Sequence, residues 1–135
     1  MIDILIVEDN AAFRDMLRST LQSDFPTARI STAAEGMAAL RSIGRNKPDL
    51  IFMDIRMPGK SGLVLTREIK QRDPDITVAI VTNMDSSEYR DAAFEIGADS
   101  FLSKETLRSQ DLQDLVGGIL ARRRTGNAFE TWDKR

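Results

Sequence analysis

The chain has 135 residues, 19 Lys and Arg against 21 Asp and Glu, and neither Cys nor His. That length fits one domain, and 41% apolar residues suffice for a core without covalent staples. The formal charge of -2 lacks the basic footprint of a general nucleic-acid binder, so no nucleic acid is expected to bind this chain alone. Lack of Cys excludes disulfides, thiolate metal sites and cysteine nucleophiles, and lack of His excludes the Ser-His-Asp triad and imidazole zinc sites. Any chemistry must use carboxylates, hydroxyls, lysines or a hard metal.

The apolar run at 4–7, flanked by Asp3, Glu8 and Asp9, is too short for a signal-peptide core or a membrane span. A soluble cytoplasmic protein without membrane partners is therefore expected. Residues 2–8 (IDILIVE) predict a strand buried on both faces. Asn10 stands at an N-cap position before a helix over 11–24, whose apolar stripe is Phe13, Met16, Leu17 and Leu21. Pro26 and Thr27 interrupt, and 28–33 (ARISTA) read as a weaker strand. Residues 35–46 place Met37, Leu40 and Ile43 on one helical stripe that stops at Gly44 and Pro48. A third strand over 49–54 (DLIFMD) leads into a loop with Pro58, Gly59 and Gly62. A helix over 62–72 carries Leu65 and Ile69 and stops at Asp73-Pro74.

Residues 76–81 (ITVAIV) predict the fourth strand, and Asp85 with Glu88 predicts a capping box for a helix over 86–96 ending at Gly97. Residues 99–103 (DSFLS) predict a fifth strand. Leu112, Leu115, Val116, Ile119 and Leu120 stripe a last helix, in which packing must hold the Gly117-Gly118 pair. Five strand–helix units with continuous apolar strands predict an α/β fold: (βα)5, a doubly wound five-stranded parallel sheet with helices on both faces.

Ligands of such sheets sit at the carboxyl ends of the strands. Here strand one ends in Glu8-Asp9, strand three in Asp54, strand four in Thr82 and strand five in Lys104. Converging carboxylates repel unless a cation joins them, and an all-oxygen set with few protein ligands suits Mg²⁺. A carboxylate beside Mg²⁺, a hydroxyl and an ammonium suits acceptance of a phosphoryl group. Taken singly, each piece has an ordinary reading: acids as caps, Thr as a strand former, Lys as a surface residue, Met57-Pro58-Gly59 as a turn. Their shared position at four strand ends is what points to a site. Neither G-x-x-x-x-G-K-[ST] nor G-x-G-x-x-G occurs. Arg56 stands where an aspartyl phosphatase of the haloacid dehalogenase type shows a second Asp.

Four segments, IVEDN at 6–10, DLIFMDIRMPGKSG at 49–62, VTNMD at 81–85 and GADSFLSKE at 97–105, together resemble the receiver domain of bacterial two-component response regulators, the CheY-like superfamily. The resemblance covers residues 1–122 and leaves 123–135 as a tail or linker stub. It implies the flavodoxin-like strand order 2-1-3-4-5. It further implies Asp54 as phospho-acceptor, with Mg²⁺ held by Asp9, Asp54, the backbone carbonyl of Arg56 and, through water, Glu8. Lys104 would pair with the phosphoryl group, Thr82 would bond a phosphoryl oxygen after activation, and Phe101 would turn inward as the aromatic switch.

Such a protein is a phosphorylation-activated switch rather than a turnover enzyme, and its signal leaves through the face of helix four, strand five and helix five. A chain without His cannot carry the phosphohistidine itself, so its donor is a separate sensor histidine kinase or histidine phosphotransfer protein, as the resemblance implies, or a small acyl phosphate. Phe13, Arg14 and Leu17 are then contact residues on the first helix, beside their ordinary readings as core or solvated positions. Glu105 replaces the Pro often found after the lysine, Asn83 stands at a commonly small position, and Glu8 replaces the commoner Asp. Met84 is expected to shield the phosphoryl group and slow its loss. Phe94, just off its helical stripe, is expected to be exposed, and homodimerisation through that face follows as an expectation. The S-K-E sequence resembles receivers of regulators with a LuxR-type helix-turn-helix, which favours a receiver from a longer transcriptional regulator over a stand-alone one. Packing of Phe129 and Trp132 on the domain would favour the converse. Two other functions use the same pieces: a phosphorylation-independent interaction module and a small Mg²⁺-dependent phosphatase.

Overall fold

A computed structural model describes residues 2–133, with side chains described through Arg122. Strands and helices alternate as β1 Asp3–Val7, α1 Ala11–Asp24, β2 Arg29–Ala33, α2 Gly36–Arg45, β3 Leu50–Met53, α3 Gly62–Arg72, β4 Thr77–Thr82, α4 Ser87–Glu95, β5 Ser100–Ser103 and α5 Ser109–Asp133. The five strands form one sheet in the order β2-β1-β3-β4-β5, and every pair is parallel. This is the doubly wound arrangement expected from the alternation, and the strand order is the one that the resemblance implies.

The continuous apolarity of the inner strands follows from burial on both faces. Leu5, Val7, Ile51, Met53, Val78 and Ile80 point to one side, where Ala39 of α2, Leu65 and Ile69 of α3 and Ala93 of α4 cover them. Ile4, Ile6, Leu50, Phe52, Ala79 and Val81 point to the other, beneath Leu17 and Leu21 of α1 and Leu112, Val116 and Ile119 of α5. Each such side chain taken out of water contributes about 1.5–3 kcal/mol. β2 lies at an edge and buries only Ala33, which accounts for its weaker pattern.

Three sequence expectations need correction. Met16 and Met37 are exposed, because α1 and α2 turn Leu17, Leu21 and Ala39 to the sheet instead. The Asp85–Glu88 capping box is not formed. Ser86 caps α4, its side chain accepting from the Tyr89 N–H, while the Asp85 carboxylate reaches across to accept from Ser103 Oγ at 2.8 Å. The cap thus starts one residue later, where the third following residue is Tyr89 and no acid can close the box. Helix α5 continues past Arg122 through most of the stretch read as a tail, and the side chains of Phe129 and Trp132 lie outside the described residues.

In α5, Leu112, Val116 and Ile119 are buried and hold the helix to the sheet. A Cβ added at Gly117 or Gly118 would meet nothing within 4 Å, so neither glycine serves a close approach. Gly118→Ala is therefore expected to raise stability by about 0.5–1 kcal/mol through lower backbone entropy in the unfolded chain. Urea unfolding measures it, and a loss of stability would contradict this packing.

Candidate functional site

The strand order reverses between β1 and β3, since the chain leaves β1 for one edge and returns beside it on the other side. Ladder hydrogen bonds extend one residue past the strands at this rim. Glu8 N–H donates to the Ala33 carbonyl at 2.9 Å, Asp54 N–H to the Val7 carbonyl at 3.1 Å, and Lys104 N–H to the Thr82 carbonyl at 3.0 Å. The backbone of the sheet itself thus sets the positions of these three functional side chains.

Glu8 and Asp54 are buried, at 2% and 6% exposure, which two carboxylates tolerate only with partners. The partner is Lys104. Its Nζ lies 2.6 Å from Glu8 Oε1 and 3.0 Å from Asp54 Oδ2. The remaining oxygens are also engaged, Glu8 Oε2 accepting from the Asn10 N–H at 3.0 Å and Asp54 Oδ1 from the Ile55 N–H at 2.7 Å. Asp9 is exposed and adds a third carboxylate, and one oxygen from each acid lies within 4.8 Å of the others. That spacing fits a hard divalent cation with all-oxygen ligands, so the residues present suit Mg²⁺.

The loop after β3 is shaped to serve Asp54. A Cβ at Gly62 would lie 1.8 Å from the Asp54 carbonyl oxygen, so only glycine fits where α3 begins. Gly62 N–H donates to the Ile55 carbonyl at 2.8 Å, and buried Thr66 Oγ1 donates to the Gly62 carbonyl at 2.7 Å. Gly59, at φ +77°, takes the left-handed turn within this loop.

Asp9, Asp54, Arg56, Thr82, Met84 and Lys104 line one open cleft of about 370 Å³. The sequence expectation thus comes together on one surface, with Thr82 fully buried and its Oγ1 accepting from the Met84 N–H at 3.1 Å. Phe101 stands apart from the cleft. It is half-buried, packs against the core beside β4, and pairs in register with Ile80 while Ser103 pairs with Thr82. Thr82 and Phe101 therefore share a sheet face two positions apart. A larger hollow of about 580 Å³, lined by Asp85, Arg90, Phe101 and Arg108, lies between α4, β5 and α5. Its cations have partners, Arg108 pairing with Asp111 of the same lining and Arg90 lying over the ring of exposed Phe94.

Burial drives the Glu8 carboxyl up from its ordinary 4.5 to about 7. The hydrogen bonds from Lys104 and the Asn10 N–H act against this, and the charge of Asp54 adds to it. Burial pulls the Lys104 ammonium down, but its bonds to Glu8 and Asp54 outweigh that and hold it above its ordinary value.

Three contributors escaped sequence reasoning. Arg14 donates to the Glu8 carbonyl at 2.9 Å, the Asn10 backbone holds Glu8, and the Phe13 ring lies 4.7 Å from Lys104 Nζ. Helical spacing had marked Phe13 as core, and nothing in one sequence announces a contact between α1 and the end of β5.

Fold and site define a doubly wound α/β protein with an acidic, lysine-bridged cluster at its switch point. The sequence matches the family described as response regulator receiver domain over residues 4–116. Response regulator MprA of Mycobacterium leprae (strain TN) is 30% identical over 128 residues, which cover 95% of this chain and 55% of that protein. The crystal structure of a response regulator receiver domain protein (CheY-like) from Methanospirillum hungatei JF-1 superposes with a TM-score of 0.83 at 25% identity, covering 93% of this chain and 98% of that one. A two-component response regulator of the LuxR family from Aurantimonas sp. SI85-9A1 gives 0.79 at 30% identity over 90% of this chain and 86% of that one. The chain belongs to the response regulator receiver domain family. It spans about half the length of the curated relative MprA. Among the described residues no helix is long and apolar enough to cross a membrane.

The raised Glu8 pKa has a direct consequence. A carboxyl that titrates higher in the folded than in the unfolded chain stabilises the fold below its unfolded value of 4.5, and that contribution is lost as pH rises through about 7. A divalent cation binds the ionised form and competes with this proton. Millimolar Mg²⁺ is thus expected to raise the melting temperature more at about pH 8 than at about pH 6. Equal increments at both pH values would contradict the assignment.

Proposed function

We propose that the chain is a phosphorylation-activated switch of a two-component phosphorelay. Asp54 accepts a phosphoryl group from the phosphohistidine of a sensor kinase or histidine phosphotransfer protein. Asp9, Asp54 and the Arg56 carbonyl, with Glu8 through water, would hold Mg²⁺, which when bound would supply positive charge against the phosphoryl oxygens. The bridging ammonium of Lys104 supports this reading most strongly, since it already neutralises the acids where phosphoryl oxygens would arrive. Attack by a carboxylate oxygen of Asp54 on phosphorus forms the acyl phosphate and breaks the bond to the donor nitrogen. Catalysis is then positioning and charge neutralisation, as the chemistry of phosphoryl transfer allows.

The new phosphoryl oxygens draw the Thr82 hydroxyl toward them, away from the Met84 N–H that it now accepts. Space opens on the sheet face that Thr82 shares with Phe101, and the half-buried ring turns in. The change reaches the α4-β5-α5 face, which also carries exposed Phe94, and homodimerisation there is part of the proposal. Met84, lining the cleft and packed on the core, shields the phosphoryl group from water. The protein accepts the group stoichiometrically instead of turning over substrate, and it does so in the cytoplasm. Its match to about half of the response regulator MprA supports a receiver that serves a longer regulator, for which a transcriptional output is part of the proposal.

Intact mass after rapid quench from acetyl phosphate and Mg²⁺ tests the proposal. One phosphoryl group is expected on the protein, none with EDTA present beforehand, and none on Asp54→Asn. A parent protein that shows no adduct yet binds beryllofluoride is a receiver that needs its own kinase, one that shows neither supports the interaction module instead, and sustained release of phosphate over many turnovers would support a phosphatase.

A further inference from the structure

The Lys104 ammonium has three neighbours, and only two of them are charged. Besides Glu8 and Asp54, it lies 4.7 Å from the centroid of the Phe13 ring, within range of a cation–π attraction. The Lys104 side chain is 12% exposed, so the attraction acts largely shielded from water. The ring is held firmly. Asn10 Oδ1 accepts from the Phe13 N–H at 2.9 Å, the next residue, Arg14, is bonded to the Glu8 carbonyl, and the ring packs on the core beneath α1 and α5.

We propose that Phe13 is a positioning residue for Lys104, a neutral seat that keeps the ammonium over the site once its carboxylate partners are engaged elsewhere. This inference rests on the phospho-acceptor reading above. A divalent cation would draw the oxygens of Glu8 and Asp54 to itself, and both ion pairs of Lys104 would weaken together. The ring face offers no oxygen to a metal and stays in place throughout. It confines the ammonium to the rim where the incoming phosphoryl oxygens need it, so less ordering remains to be done in the transition state. An aliphatic side chain of similar size would fill the space without holding the charge.

Phosphorylation rates with acetyl phosphate and Mg²⁺ test this in the parent protein, Phe13→Leu, Phe13→Tyr, Lys104→Met and the Phe13→Leu/Lys104→Met double variant, each first checked for a cooperative melt. Phe13→Met replaces the leucine variant if that one does not fold. Phe13→Leu is expected to be about five- to tenfold slower than the parent, with Phe13→Tyr within about twofold. In the Lys104→Met background Phe13→Leu should cost nothing further, because the residue acts only through the ammonium. Equal rates for Phe13→Leu and the parent, a tyrosine variant as slow as leucine, or the same loss without Lys104 would each overturn the positioning role while leaving the phospho-acceptor reading intact. A parent protein that neither takes a phosphoryl group nor binds beryllofluoride would overturn that reading and this one with it.

Discussion

Glu8 and Asp54 end neighbouring parallel strands, and the sheet register leaves them no freedom to move apart. Two buried carboxylates this close would repel and lose hydration together, so the fold requires a cation at this spot. Lys104 supplies it from the end of β5, across the intervening β4. The raised Glu8 pKa shows that the compensation is incomplete, because burial still outweighs the ammonium. The site is therefore a place of stored electrostatic demand. Added positive charge relieves it, which is the condition under which a divalent cation binds well.

The two rims of the sheet divide the work. At the amino ends of the strands, polar groups tie chain to chain. Asp49 Oδ2 accepts from the Asp3 N–H, and Lys70 Nζ donates to the Ile76 carbonyl and to Asp99, whose carboxylate also accepts from the Val78 N–H. These bonds satisfy backbone groups. At the carboxyl ends the same kinds of side chain face a cleft, where Glu8 and Asp54 share the ammonium of Lys104 and Asp9 adds a third acid close by. Asp54 is further locked from behind, since the Gly62 backbone sits against its carbonyl where no side chain would fit.

Much of this was legible in the sequence because strand ends are legible. Runs such as ILIV and ITVAIV mark buried parallel strands, and the first polar residue after each run falls at the rim by construction. Glu8, Asp9, Asp54, Thr82 and Lys104 fall at strand ends in this way, and the structure brings Asp9, Asp54, Thr82 and Lys104 to one cleft and pairs buried Glu8 with Lys104. Helix faces were less legible. Met16 and Met37 satisfied the helical period yet face solvent, since a stripe is wider than the contact that a short helix makes. The α4 cap was misplaced by one residue because Asp85 and Ser86 are both good caps, and the choice was made by Ser103, a residue on another strand. The seat of Lys104 on Phe13 and the grip of Arg14 on the Glu8 carbonyl depend on how α1 lies against β5 and β1, which no local pattern encodes.

The central claim is that the lysine-bridged acids form a resting arrangement that reorganises when a metal ion and a phosphoryl group load together. The most direct measurement is a titration of the ¹⁵N-labelled protein with beryllofluoride, a phosphoryl mimic, in the presence and absence of Mg²⁺, and in Asp54→Asn. The account predicts saturable shifts of the Asn10, Ile55 and Met84 amides, whose hydrogen bonds end on Glu8, Asp54 and Thr82, together with shifts at Phe101. All should require Mg²⁺ and vanish in the variant. Shifts that persist in Asp54→Asn, or a parent protein whose rim amides do not respond, would contradict it.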